Sequence, residues 1–430
     1  MRNGSVDDSF SVPLDGEVDA ITVAPDGKIL VGGRFNHMVG QGSHHVLRLN
    51  PDGTIDTTFN APFNSAVLAV GITPSSHVLL GGPSWPNERS FTRLTPSGNL
   101  DRDFTFGYRT DPVGDVLAVT AMNINSFQGG WQEWSFIGGD FTKANGVSRQ
   151  YMALFGQDGI LDPGFGAKLG PDAPVLAVGT WGGMFIIGGK FNNVDGSVYG
   201  KVARLDASGF PDSRFGHRNV IDDDVQTLAV QSDGSVIIGG KFRNVNGTPR
   251  GGIAKLNSSG VLDGSFSAGG GADRPVNSLA VGPDHKVIIG GNFVKVDDIL
   301  RVTIARLNPN GSLDATFDAG SGADGEVYAV AVQADGNVLV GGAFTTVDGK
   351  PKAYLARLFG TIKIQLTPLS PPQIGFSFST AEGNRYQIRA TLDFKSWDIL
   401  EDFNGDGTDH TYLEHDPGSV AQRFYQVLIP

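Results

Sequence analysis

The chain contains no cysteine. This excludes disulfide stapling, cysteine-ligated zinc and thiol catalysis. It does not argue for the cytosol, because many exported bacterial proteins are equally poor in cysteine. No apolar run reaches the roughly 18 residues of a membrane-spanning helix, and Met1-Arg2-Asn3-Gly4 does not open a signal peptide. Basic residues are the minority, 33 Lys and Arg against 45 Asp and Glu, for a net charge of −12. Nucleic acid and anionic membrane surfaces reward basic patches, so neither is expected as a partner, nor is membrane insertion. Also missing are the Gly-x-Ser-x-Gly elbow, the His-Glu-x-x-His helix, the phosphate-cradling glycine loop and the dinucleotide fingerprint. Segments of helical period are few.

What the chain has in quantity is glycine, 61 residues, and a repeat. Double glycines fall at Gly32-Gly33, Gly81-Gly82, Gly138-Gly139, Gly188-Gly189, Gly239-Gly240, Gly290-Gly291 and Gly341-Gly342, spaced by 49, 57, 50, 51, 51 and 51 residues. Each pair ends an apolar stretch that follows a turn, as in Val327–Phe344, where Asp335-Gly336 separates two strand-like runs. An Asp-x-x-Phe element marks the same period seven times, from Asp7…Phe10 to Asp314…Phe317. Short strands at a period near 50 signal a propeller or solenoid. In the first strand of each unit, Val and two small residues alternate with bulkier ones, as in Val327/Ala329/Ala331. This predicts two buried faces, one of them thin.

The ends of the chain favour a closed ring over an open stack. The last unit stops at Ala356-Arg357-Leu358-Phe359-Gly360 without its Asp-x-x-Phe, and the missing half stands at Asn3–Phe10. An N-terminal strand that completes the last sheet would seal the open edges. The expected fold is all-β: a seven-bladed β-propeller over residues 1–360, closed by the N-terminal strand, and a small C-terminal β-sandwich over 361–430. The repeat resembles kelch-type units in its period and double glycine. It is closer to the bacterial delta-sixty repeats, whose signature DGKILVGGxF…RLNxDGxLDxxF matches Asp26–Phe35 and Arg48–Phe59. Such repeats occur in large secreted or surface proteins of mostly unassigned function. The resemblance therefore implies an extracellular or cell-surface location, with export information removed from this chain; the alternative is an intracellular protein.

Units two to four depart from the pattern. Unit two has Gly81-Gly82-Pro83-Ser84-Trp85 for Gly-Gly-x-Phe, and unit three gains a longer entry loop and a longer hairpin carrying Trp131 and Trp134. Unit four has Trp181-Gly182-Gly183 where others turn at Asp-Gly. Trp85, Trp131, Trp134 and Trp181 are the candidate ligand-binding residues, as stacking platforms for sugar rings or for an apolar partner surface. The competing reading is that they fill gaps between blades. Residues that recur in most units, such as the Asp of Asp-x-x-Phe and the Arg of Ala-Arg-Leu, are structural, since a catalytic residue occurs once.

After Gly360, Pro368, Pro371 and Pro372 mark a junction, followed by strand-like alternation. The run from Gly383 to Tyr425 resembles a C-terminal module of secreted proteins of some environmental bacteria, one with no assigned catalysis. Asp402-Phe403-Asn404-Gly405-Asp406-Gly407 opens like a calcium loop, with oxygens at positions one, three and five, but Leu413 stands where the bidentate acid belongs. Asp402, Asn404 and Asp406 thus make either a calcium site or a polar turn. The leading functional expectation is a non-catalytic exported binding, adhesion or scaffold propeller that recognises a polysaccharide or a surface protein. The rival is a propeller polysaccharide lyase or glycoside hydrolase drawing on His44, His77, Tyr108, Arg109 and His217. A purely structural repeat of a surface protein is the third.

Overall fold

The computed structural model describes residues 3–37, 44–61, 65–83, 90–104, 114–126, 130–166, 168–217, 219–267, 269–360, 365–367, 374–380, 385–391, 398–406, 408–414 and 424–428. Seven antiparallel three-stranded sheets follow one another, one per repeat. The first comprises Val18–Val23, Ile29–His37 and His44–Leu49, and the seventh Val327–Val332, Val338–Gly342 and Leu355–Leu358. The middle strands of sheets five to seven are buried at every position, which is why they read as unbroken Val-Ile-Ile or Val-Leu-Val runs. Each sheet also gains a single bridge on its outer side. Leu49 pairs with Ile55, Leu256 with Leu262 and Leu307 with Leu313. In the seventh sheet the partner of Leu358 is Val6, from the start of the chain.

The double glycines set the seams between sheets. A Cβ on Gly290 would lie 2.5 Å from Val327 of the following sheet, and one on Gly291 would lie 2.2 Å from the Pro275 carbonyl of its own. No side chain fits in either direction. The same contact joins the last sheet to the first: a Cβ on Gly341 would lie 2.4 Å from Val18. First strands pack against first strands along the chain, and the strand Val18–Val23 packs against both Ala69–Ile72 and Val327–Val332.

One expectation about faces is corrected. The first strands of sheets one and three to seven bulge after their leading Val, so that Val327 opposes Gly342 while Ala329 opposes Gly341. The extra residue shifts the alternation by one. Val327 therefore shares a face with Val330, both lying within 3 Å of a Cβ placed on Gly290, while Ala331 packs toward the first sheet.

Small two-residue ladders, such as Asn244–Val245 with Thr248–Pro249, follow the double glycines. Their turns place Asn246 and Gly247 at φ of 51° and 76°, and Asp298 takes the glycine position at 60° in sheet six. Asn and Asp tolerate this region through local hydrogen bonding. Beyond residue 360, two further three-stranded sheets share a cluster of Phe376, Phe378, Tyr386 and Ile388, flanked by Phe403, Tyr412 and Tyr425.

Candidate functional site

One arrangement recurs in five units of the repeat region, around Arg48, Arg93, Arg204, Arg306 and Arg357. In sheet six, Arg306 on the last strand donates to Asp314 at 2.7 Å, lies 4.8 Å over the Phe317 ring and donates to the Gly360 carbonyl of the next unit at 2.6 Å. Lys286, at the hairpin turn, reaches the same carboxylate at 2.7 Å. Burial alone would push Asp314 up, but the two cations and the Thr316 hydroxyl hold it down at about 2. Sheet one repeats the set with Lys28, Arg48, Asp56 and Phe59. Arg357 pairs with Asp7, stacks on Phe10 and donates to Pro51, so the same device joins the last unit to the first.

Unit two breaks the set at its turn. Ser75 stands where Asp26 and Asp284 cap their own strands, and His77 stands where Lys28 and Lys286 reach their aspartates. Ser76, at φ 67°, keeps the backbone shape of the turn. His77 Nε2 stops 3.6 Å from Asp101, whose carboxylate Arg93 engages at 2.7 Å. The carboxylate that Ser75 lacks comes from the neighbouring unit. Glu133 accepts from the Ser75 amide at 2.9 Å and its hydroxyl at 2.6 Å, and lies 3.5 Å from Arg93. With the hydroxyl hydrogen on Glu133, His77 Nδ1, 2.8 Å from Ser75 Oγ, is the donor of that contact. A serine nucleophile needs the opposite polarity, with the imidazole accepting.

Glu133 exists in this position because the hairpin of unit three is long. Its strands run Gly114–Ser126 and Gly130–Phe141, and Glu133 opposes Asn123 at the height where sheet four already turns at Gly182-Gly183. The two walls enclose a cleft of about 530 Å3, lined by Ser75, His77, Arg93, Asp101 and Asp103 from unit two and by Asn123, Glu133, Gln157 and Asp158 from unit three. The equivalent grooves between sheets one and two and between sheets six and seven hold about 200 and 210 Å3.

Of the described tryptophan side chains, neither Trp134 nor Trp181 lines this cleft. Trp181 is half-buried, donates from Nε1 to the Ser232 carbonyl at 3.1 Å, and covers Gly234, filling the seam between sheets four and five. Trp134 is half-buried against the core of sheets three and four. Trp131 opposes Asn125, further out along the hairpin than the Trp181–Met184 pair, so the two are not at one height. Trp85 lies outside the described residues, as do Tyr108 and Arg109. Of the rival enzyme's candidates, His77 lines the cleft, His217 is exposed against Tyr199, and His44 is a strand residue of sheet one. The described members do not converge. Glu133 and Asn123 escaped sequence reading, and the 57-residue spacing that signals their hairpin was the available clue.

Two features of the C-terminal sheets bear on the calcium expectation. Asp402 and Asn404 lie in the strand Asp398–Asn404, and the segment after it crosses between the two C-terminal sheets instead of closing a loop. Both Asp402 oxygens accept from Arg385 at 2.7 Å, and Gln387 adds a third bond that helps hold this carboxylate at about 2. Asp406 accepts from Thr408. Among the described residues, no three His, Asp or Glu side chains form a metal-binding group. The donor set does not fit calcium.

A β-propeller family described as a domain of unknown function (DUF5122) matches residues 24–59, 136–165, 183–215, 231–266, 282–317 and 333–360. The matches pass over residues 60–135, the stretch that carries sheet two and the near wall of the long hairpin. No curated protein matches. Among solved structures, BBS1N in complex with ARL6DN is similar at a TM-score of 0.29 and 10% identity, over 72% of this chain and 84% of that one. A glycoside hydrolase is similar at a TM-score of 0.25 and 10% identity, over 96% and 95%. Likeness at that level carries no argument about activity. The repeat, its sheets and the family matches together make this chain an all-β protein of the β-propeller repeat kind.

Proposed function

We propose that the protein is a non-catalytic binding propeller of the delta-sixty type, and that the cleft between units two and three is its contact site for a glycan. In this reading the seven sheets close into one seven-bladed disc, with a C-terminal β-sandwich beside it. The Val6–Leu358 bridge, the Gly341–Val18 seam and the Arg357–Pro51 bond support the closure. An exported or cell-surface location belongs to the proposal and rests on the resemblance of the repeats.

The observation that carries the site is its size and lining. The same seam between sheets one and two and between sheets six and seven is a smaller groove, while here it is more than twice as large and walled by polar side chains from two units. Polar groups that converge in a concavity are what orient a sugar. Catalysis is disfavoured because His77, Ser75 and Glu133 are tied to one another and to the turn they hold.

The test is a polysaccharide pull-down with wild type, Asn123→Arg and Trp181→Ala. Asn123 is exposed on the cleft wall, so an arginine there blocks the cleft without disturbing the core. Loss of binding in Asn123→Arg with retention in Trp181→Ala is expected. The reverse would move the site to the tryptophan, and shortening of the polysaccharide would establish an enzyme.

A further inference from the structure

We infer that this cleft selects a cationic glycan, one whose sugars carry free amines. The inference rests on the binding reading above and adds the sign of the ligand's charge.

Four carboxylates line the cleft, those of Asp101, Asp103, Glu133 and Asp158, against two basic side chains, Arg93 and His77. Four less two leaves an excess of two negative charges even with the histidine protonated. The other seams act as internal controls, because the same repeat positions build them. Between sheets six and seven, Asp284, Asp335 and the paired Asp314 stand against Lys286 and Arg306, three against two. Between sheets one and two, Asp26 and the paired Asp56 stand against Lys28 and Arg48, two against two. Three added carboxylates outweigh the turn aspartate that Ser75 replaces: Asp103 where the control units have Thr58 and Thr316, Glu133 on the long hairpin, and Asp158 on the adjoining turn.

Among the described lining residues the one strong cation, Arg93, cannot serve an anionic ligand. The Arg93 guanidinium donates to Asp101 and to the Gln157 carbonyl, lies 4.3 Å over Phe104 and is only 5% exposed. A uronate entering here would meet carboxylates, with the Arg93 guanidinium already paired. Asp103 and Asp158, by contrast, are exposed at the cleft. Carboxylates accept charge-assisted hydrogen bonds from an ammonium, whose three hydrogens leave no lone pair to repel them. Asn123 and Gln157, exposed beside them, offer both donors and acceptors to sugar hydroxyls.

The experiment is a calorimetric titration of the full chain with a glucosamine tetramer and with its fully N-acetylated counterpart, at low and at raised salt. The amine form should bind at least about tenfold more tightly, and raised salt should weaken it. Asp103→Asn/Asp158→Asn should cost about tenfold in the amine form alone, as two exposed charge contacts are lost. Asparagine keeps the acceptor that Asp158 offers to the Ile160 amide, so the turn is preserved. Equal binding of both tetramers would overturn the charge assignment while leaving the glycan reading intact. Binding of tetralysine as tight as that of the amine tetramer would overturn the sugar. Silence toward both tetramers and toward every polysaccharide in the pull-down would overturn the two readings together.

Discussion

Units two and six share one repeat yet satisfy the same groups in different ways. In unit six the turn aspartate caps its own strand, and lysine and arginine both reach Asp314. Everything the turn needs is local, and the groove beside it holds about 210 Å3. In unit two the turn carboxylate is gone, the lysine has become a histidine that falls short of its aspartate, and the missing acceptor arrives from unit three. A group supplied from a neighbour needs a longer hairpin to carry it, and that hairpin is the wall that opens the cleft. The comparison teaches that the site did not require new architecture. It required moving one carboxylate from a turn to the adjacent blade.

Three measurements bear on that contrast. Removing the repeated arginine should have the largest effect, and it should be larger in the irregular unit. Arg93→Ala leaves buried Asp101 with the Asp103 amide and a histidine 3.6 Å away, and about 4 kcal/mol of stability should be lost in urea denaturation. Arg306→Ala leaves Lys286 at 2.7 Å from Asp314, and the loss should be about 3 kcal/mol. A larger loss in the regular unit would break the comparison.

Acid should come next. Asp314 sits at about 2 in the folded chain, below its unfolded value, so its contribution is complete above that unfolded value and disappears as pH falls through the folded one. Urea midpoints between pH 5 and pH 2 should reveal about 2 kcal/mol that Asp314→Asn removes from the pH dependence. A pH profile unchanged by Asp314→Asn would assign acid sensitivity to other groups.

The smallest effect should come from His77→Lys, which restores the regular lysine. A stabilisation of about 0.5 kcal/mol is expected, as for an ion pair with one half-exposed partner. A destabilised His77→Lys would mean that the histidine belongs to the turn as Ser75 and Glu133 now hold it.

Much of this fold was legible in the residues. The double glycines, the Asp-Gly turns and the Asp-x-x-Phe marks stood in register because each encodes a local backbone demand. The N-terminal half-unit announced its partner by what the last unit lacked. The first-strand faces were misread, because a one-residue bulge leaves no trace in apolar periodicity. The tryptophans drew notice as exposed aromatics, yet Trp181 had a partner 51 residues away, a distance at which sequence pattern is silent. The calcium-like run failed for the same reason, since Arg385 reaches Asp402 only once the strands pair.

The sequence by itself determined the unit, its sevenfold repetition and the chemistry of its turns, because hydrogen bonds and steric limits within a unit are fixed by neighbours along the chain. Only the tertiary structure decided which carboxylates face one another across a seam. Glu133 and Ser75 are 58 residues apart, and their contact depends on the angle between two sheets and the length of one hairpin. Neither quantity is written in any local stretch, and the charge of the cleft follows from both.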